Sequence, residues 1–240
     1  MSTLTERWLG YRPERSYEPE LMDAPDADEA ELFAVYRELD VINRRLGGHP
    51  VSIAGVRRLV PEAPLDVLDV GAGGGDFGRV LASWARKRDR RLRYRGIELS
   101  EAAVRFAQRH SVDFPELSFE VQDLHELSDD AHDVVHMALT LHHFDDDAAV
   151  DMLQSMARVA KCGLVVNDLH RHVVAYAGIK GLTKLLSRSR FVRNDGPLSV
   201  NRAFSRQELL ELCRRADLEL IQLRWAPMFR WLLVARRRSG

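Results

Sequence analysis

The stretch LDVLDVGAGGGDFG, residues 65–78, decides how the chain is read. An apolar run leads into four glycines, Gly71, Gly73, Gly74 and Gly75, and a helical pattern follows at once. Glycine loses more backbone freedom on folding than any other residue, so stability does not explain the crowding. Something has to come close to the backbone there: a dinucleotide, a phosphate, or a ligand that brings no phosphate. The dinucleotide fingerprint G-x-G-x-x-G needs a third glycine at the helix start, where the pyrophosphate sits. Gly71 and Gly73 fill its first two places, but the third is Asp76, whose carboxylate repels a pyrophosphate. A P-loop needs Lys-Ser or Lys-Thr after the glycines, and neither follows. The ligand without phosphate remains.

Working outward, strand-like and helix-like segments alternate. After the glycines, DFGRVLASWARKR has helical spacing; LRYRGIELS reads as a second strand, and SEAAVRFAQRHS as a helix with Ser100 at its N-cap. LSFEVQDLHEL and AHDVVHMALTLHHF read as third and fourth strands, DAAVDMLQSMARVAK as a helix and CGLVVNDLH as a fifth strand. Such alternation predicts a doubly wound, mostly parallel α/β sheet. LELIQLRW and FRWLLVARR add an antiparallel C-terminal hairpin, for seven strands in all, after a helix opened by a Ser205–Glu208 capping box. Before the sheet, helices are expected over about 30–46 and 51–59, making residues 1–60 an N-terminal helical lid section. Residues 61–240 form the main domain, with 171–204 a helical insertion over the carboxyl edge of the sheet, where open α/β folds bind ligands. Tyr11, Arg12 and Tyr17 are candidates to fold over that edge.

Composition narrows the function. The chain has 240 residues, 45% hydrophobic and 30% charged, with net charge -1. No global charge favours nucleic acid or an anionic membrane; the basic runs at 85–95 and the C-terminus read as solvated surface. Two cysteines are too few for a disulfide framework. No signal peptide or apolar membrane span is visible, so a soluble, reduced, cytoplasmic protein is expected.

The segment VLDVGAGGGDFG closely resembles the first motif of the class I, Rossmann-like S-adenosylmethionine-dependent methyltransferases. The resemblance is good over about 60–170 and implies S-adenosylmethionine as cofactor, with S-adenosylhomocysteine as product. It assigns the cofactor loop to Gly71, Ala72, Gly73 and Gly75, with Asp69 fixing the loop or the methionine ammonium. It implies that Glu98, with Leu99 beside it, accepts both ribose hydroxyls, and that Asp123, with the Leu124 backbone, meets the adenine. The fourth strand, including Met137, ends near the methionine moiety. Taken singly, each residue also has a plain reading as a strand end or turn former; their order along the chain carries the assignment.

The segment NDLHRHVVAYAG…PLSVNRAFSRQEL is similar to bacterial methyltransferases of polyketide and phenolic natural products. It implies a small, aromatic acceptor and O-methylation. A phenol of pKa ~10 is a poor nucleophile while protonated and gains from a general base. His143, His170 and His142, at the ends of the fourth and fifth strands, are the candidates, each with a structural alternative. No metal is assigned. C-methylation of a quinone-like molecule, or cofactor binding without transfer, are the other readings.

Overall fold

The structure is a computed structural model that describes residues 13–23, 28–62 and 64–238. Tyr11 and Arg12, proposed above as part of a lid, lie outside them. Seven strands form one sheet: β1 (Leu65–Val70), β2 (Leu92–Glu98), β3 (Leu117–Val121), β4 (His132–Ala138), β5 (Ala160–Leu169), β6 (Leu218–Ala226) and β7 (Arg230–Arg237). Their spatial order is β3-β2-β1-β4-β5-β7-β6. The first five strands run parallel, and β7 pairs antiparallel with both β5 and β6. The order reverses at β1 and β4, the switch point outside which open α/β sheets bind ligands.

Among the described residues, eight α-helices surround the sheet: α1 (Glu29–Arg45), α2 (Gly48–Leu59), α3 (Asp76–Arg86), α4 (Glu101–His110), α5 (Asp146–Val159), α6 (Val173–Leu186), α7 (Arg190–Arg202) and α8 (Arg206–Arg215). Side chains alternate across each strand. Leu65 and Val67 of β1 pack with Val56 of α2 and Leu81 of α3, whereas Leu68 and Val70 pack with Leu153 of α5 and Leu212 of α8. Both faces are therefore covered, as a parallel sheet requires.

The capping signals act as read. The Ser100 hydroxyl accepts from the Ala103 N–H, and Ser205 and Glu208 form a complete capping box. Gly47, at φ 68, ends α1 and begins α2, which starts three residues earlier than the apolar pattern suggested. Helix α2 lies directly on the sheet: a Cβ on Gly55 would stand 2.5 Å from Val165 Cγ1. The insertion is two helices, α6 and α7, joined by a short connection. Above the carboxyl edge, Met22 of the segment 13–23 packs on α1 and α7, and the Asp195 carboxylate of α7 holds that segment by accepting from the Leu21 and Met22 N–H groups at 2.9 and 3.0 Å. No described helix is long and apolar enough to cross a membrane.

Candidate active site

A single cavity of about 1220 Å³ runs along the carboxyl edge, from the glycine loop to α6 and α7. Its floor begins at β1. The loop that leaves this strand has three glycines at positive φ, Gly71, Gly73 and Gly75. They do different things. A Cβ on Gly71 would stand 2.7 Å from Thr140 Oγ1, and one on Gly75 2.7 Å from the Phe119 ring, so both are needed for packing. At Gly73 a Cβ would meet nothing, so the backbone there is open to a ligand.

Glu98 closes the loop from the end of β2. Its carboxylate accepts from the Gly73 N–H at 3.1 Å and from the Leu99 N–H at 2.8 Å, which ties the glycine loop to β2. Asp69 lies one layer below. It accepts the Tyr94 hydroxyl on Oδ2 and the His136 Nδ1–H on Oδ1, the latter at 2.6 Å. The His136 Nε2 lies 2.8 Å from the Ser52 hydroxyl, and Asn167 donates to the same oxygen at 2.9 Å. With both oxygens occupied, Asp69 supports the loop from beneath. Beside the loop, Asp76 accepts from Asn43 Nδ2 at 3.1 Å and stands 3.4 Å from His49 Nε2.

The other end of the cavity is built from distant segments. His142, in the short 3-10 turn after β4, is buried. Its Nδ1–H donates to Asp168 Oδ1 at 2.7 Å, and its backbone N–H to Asp168 Oδ2 at 3.0 Å. Its Nε2 stands 3.5 Å from Glu20 Oε1, and the His143 Nε2 stands 3.8 Å from Glu20 Oε2. Burial, the largest influence on the His142 imidazole, pulls its pKa down, but the carboxylates of Asp168 and Glu20 reverse this and raise it to about 9. Burial likewise opposes ionisation of Asp168 and Glu20, yet both carboxyls are held below their ordinary range, chiefly by His142. Apolar walls complete this end: Leu39 and Ile42 of α1, Ile179 and Leu182 of α6, and Phe191 of α7. The turn between β6 and β7 contributes Met228 and Phe229, both at positive φ, 61° and 54°.

Measured against the sequence reading, Asp69, Gly71, Ala72, Gly73, Glu98, Leu99, His142 and His143 line the cavity. Gly75 stands behind the loop against Phe119. Met137 does not reach the cavity: its side chain falls on the α5 side of β4, fully buried, and the next residues, Ala138 to Thr140, form the wall. Leu124 is buried in the same core. Asp123 lies outside the cavity wall, capping the 3-10 turn after β3 with its Oδ1 on the His125 N–H at 2.9 Å and ring Nδ1 at 2.7 Å. His170 packs on Trp231 with ring centroids 4.7 Å apart, outside the cavity wall, and burial lowers its pKa. Sequence reasoning missed Glu20, which sits in a stretch with no periodicity. It also missed Ser52, Asn43 and His49, which look like ordinary helix residues.

The comparisons with known proteins agree with this fold. Residues 67–163 match the family described as a methyltransferase domain. The chain is 28% identical over 201 residues to a ubiquinone biosynthesis O-methyltransferase of Albidiferax ferrireducens, covering 79% of this chain and 71% of that one. Among solved structures, human N-acetylserotonin methyltransferase in complex with S-adenosylmethionine has a TM-score of 0.65 at 17% identity, over 94% of this chain and 63% of that one. The magnesium protoporphyrin IX methyltransferase of Synechocystis PCC 6803, also with bound S-adenosylmethionine, has a TM-score of 0.55 at 18% identity, over 82% of each chain. Residues 67–163 are a methyltransferase domain, set in a Rossmann-like methyltransferase fold. The chain is an S-adenosylmethionine-dependent enzyme. The residues present fit the cofactor: Gly73 leaves open backbone where any side chain would intrude, and Glu98 presents a fixed carboxylate beside it.

Proposed function

We propose that the protein methylates a hydroxyl oxygen of a small, largely apolar, aromatic molecule. The observation that carries this reading is the continuity of the cavity. One end has the glycine loop and Glu98; the other has apolar walls and a cluster of histidines and carboxylates. At about 1220 Å³ it exceeds the 300–1000 Å³ usual for a single small ligand, which suits a cofactor and an acceptor side by side.

When bound, the cofactor supplies an electrophilic methyl group, so the protein's tasks are to position the acceptor, exclude water and manage its proton. In this reading Glu98 holds the ribose hydroxyls, Gly73 and Leu99 line the adenosyl moiety, and Asp123 turns to the adenine from the cavity's edge. The acceptor ring lies between α1 and α6, with its hydroxyl against His142 and His143. His142 carries a proton at neutral pH, because its pKa is raised to about 9, and so contributes positive charge. His143, whose side chain is 23% exposed, is the group that takes the hydroxyl proton. The name of the ubiquinone biosynthesis O-methyltransferase supports oxygen as the methyl acceptor.

The test has two stages. Calorimetric titration with S-adenosylhomocysteine is expected to give one site per chain, with no binding of NADH. Incubation with methyl-labelled S-adenosylmethionine and a panel of alkyl- and aryl-substituted phenols is then expected to label the phenol oxygen. Label on a ring carbon replaces O- with C-methylation; binding of S-adenosylhomocysteine with no label on any phenol removes the acceptor assignment.

A further inference from the structure

At the acceptor end, two imidazole nitrogens face the two carboxylate oxygens of Glu20. His142 Nε2 and His143 Nε2 stand 3.5 and 3.8 Å from the two oxygens of Glu20. An N–H···O bond spans about 2.7–3.2 Å, so both separations are long for one. They are close to the edge of a tetrahedral site, about 3.4 Å when metal–ligand bonds are about 2.1 Å. All three ligand atoms lie within 4.8 Å of one another. We propose that Glu20, His142 and His143 bind one divalent first-row transition cation, Zn²⁺ in type, with a fourth coordination position open to the cavity.

Two features outside the triad point the same way. Asp168 accepts the His142 Nδ1–H at 2.7 Å. That bond fixes the tautomer that leaves Nε2 to coordinate, and ligating imidazoles almost always have such a partner. The Ser199 hydroxyl of α7 donates to Glu20 Oε1 at 2.8 Å, so the carboxylate is oriented before any cation arrives. Burial fits an open catalytic-type site rather than a closed structural one. The Glu20 and His142 side chains are 2% and 3% exposed, whereas His143 is the more accessible member, and all three line the cavity. Charge fits as well. A divalent cation that displaces the His142 proton balances the two carboxylates, Glu20 and Asp168. The nearby guanidinium groups are directed elsewhere. Arg202 donates to the carbonyls of Glu18, His142 and His143, and Arg15 to those of His142, Phe144 and Arg202 and to Asp146.

The chemistry rests on the acceptor position proposed above. A hydroxyl oxygen bound at the fourth position loses its proton to solvent at lower pH than free phenol, because the cation stabilises the oxyanion. His143 then acts as a ligand; it acts as proton acceptor only in the cation-free protein. Imidazole ligands suit Zn²⁺, Fe²⁺, Co²⁺ and Ni²⁺ better than Mg²⁺ or Ca²⁺.

The probe is Co²⁺, added to chelator-treated full-length protein without cofactor and followed by calorimetry and visible absorption. One Co²⁺ per chain, with the intense visible bands of a four-coordinate ion that Zn²⁺ then removes, is the expected result. Glu20→Gln and His143→Ala should each weaken Co²⁺ binding about tenfold or more, while S-adenosylhomocysteine affinity stays within about twofold. Because Glu20 is buried, Glu20→Gln could disturb the fold; His143→Ala, at a more accessible position, then decides. No stoichiometric uptake, or uptake unchanged in both variants, overturns the site. A protein that binds S-adenosylhomocysteine but no Co²⁺ leaves the methyl-transfer reading standing and removes this one; Co²⁺ uptake without S-adenosylhomocysteine binding does the reverse.

Discussion

The two ends of the cavity are made in different ways. The glycine-loop end comes from residues 69–77 and the ends of two adjacent strands, joined by short backbone bonds such as Gly73 N–H to Glu98. The histidine end comes from residues 20, 142, 143, 168 and 199, brought together from the N-terminal segment, β4, β5 and α7. The first is a local device that any strand–turn–helix can carry. The second exists only when the whole chain has folded. A site divided this way can keep its cofactor chemistry constant while its acceptor chemistry varies, since the two ends share few residues.

That division can be tested by substitution. The largest effect is expected for Gly71→Val. The new side chain would sit at φ 68 and its Cβ 2.7 Å from Thr140 Oγ1. Backbone strain of about 1–3 kcal/mol joins an overpacking cost of about 1–3 kcal/mol, and S-adenosylhomocysteine binding should vanish from calorimetry while the melting temperature falls.

Asp168→Asn should act on the other end alone. It removes the charge that holds His142 protonated, and turnover should drop by about tenfold or more, with S-adenosylhomocysteine affinity nearly unchanged. An equal loss of affinity would show that the two ends are one unit. The pH dependence follows from the raised His142 pKa. The native protein has the full stabilisation of this pair below about pH 6.5 and loses it as pH rises through about 9. In Asp168→Asn, thermal melts should be flatter across that window.

Two smaller effects rank the proposed cofactor contacts. Glu98→Ala should weaken S-adenosylhomocysteine by about 1.5–3 kcal/mol, the range for a hydrogen bond to a charged group. Asp123→Ala should cost less, under about 1.5 kcal/mol, because this carboxylate is half exposed and its Oδ1 already serves His125. An effect as large as that of Glu98→Ala would mean that Asp123 turns inward when the adenine is present.

The same contrast explains what could be read from the sequence. The strands, the hairpin, Ser100, Ser205 and the glycine loop were legible because each rests on local spacing or capping. Glu98, assigned through the family resemblance, lines the cavity from the end of β2. Met137 was assigned to the cofactor but points to α5, since one step along a strand exchanges its faces. His170 shared the strand-end signal of His142 but packs against Trp231, a partner contributed by the distant β7. Glu20 had no signal at all, because its meaning depends on Ser199 and on two histidines more than a hundred residues away.

One detail of the β6–β7 turn bears on durability. Met228 and Phe229 both occupy the left-handed region, at 61° and 54°, where bulky residues are rare. The hairpin carries this strain, of order 1–3 kcal/mol per residue, at two residues that line the cavity, with the Phe229 ring stacked on His172 at 5.0 Å between centroids. The hairpin tip is therefore a place where robustness and selectivity are opposed. Replacing the pair with Asn and Gly should give a protein that withstands more heat and accepts a wider range of molecules, and wild-type choosiness would then be the trait for which thermal tolerance has been given up.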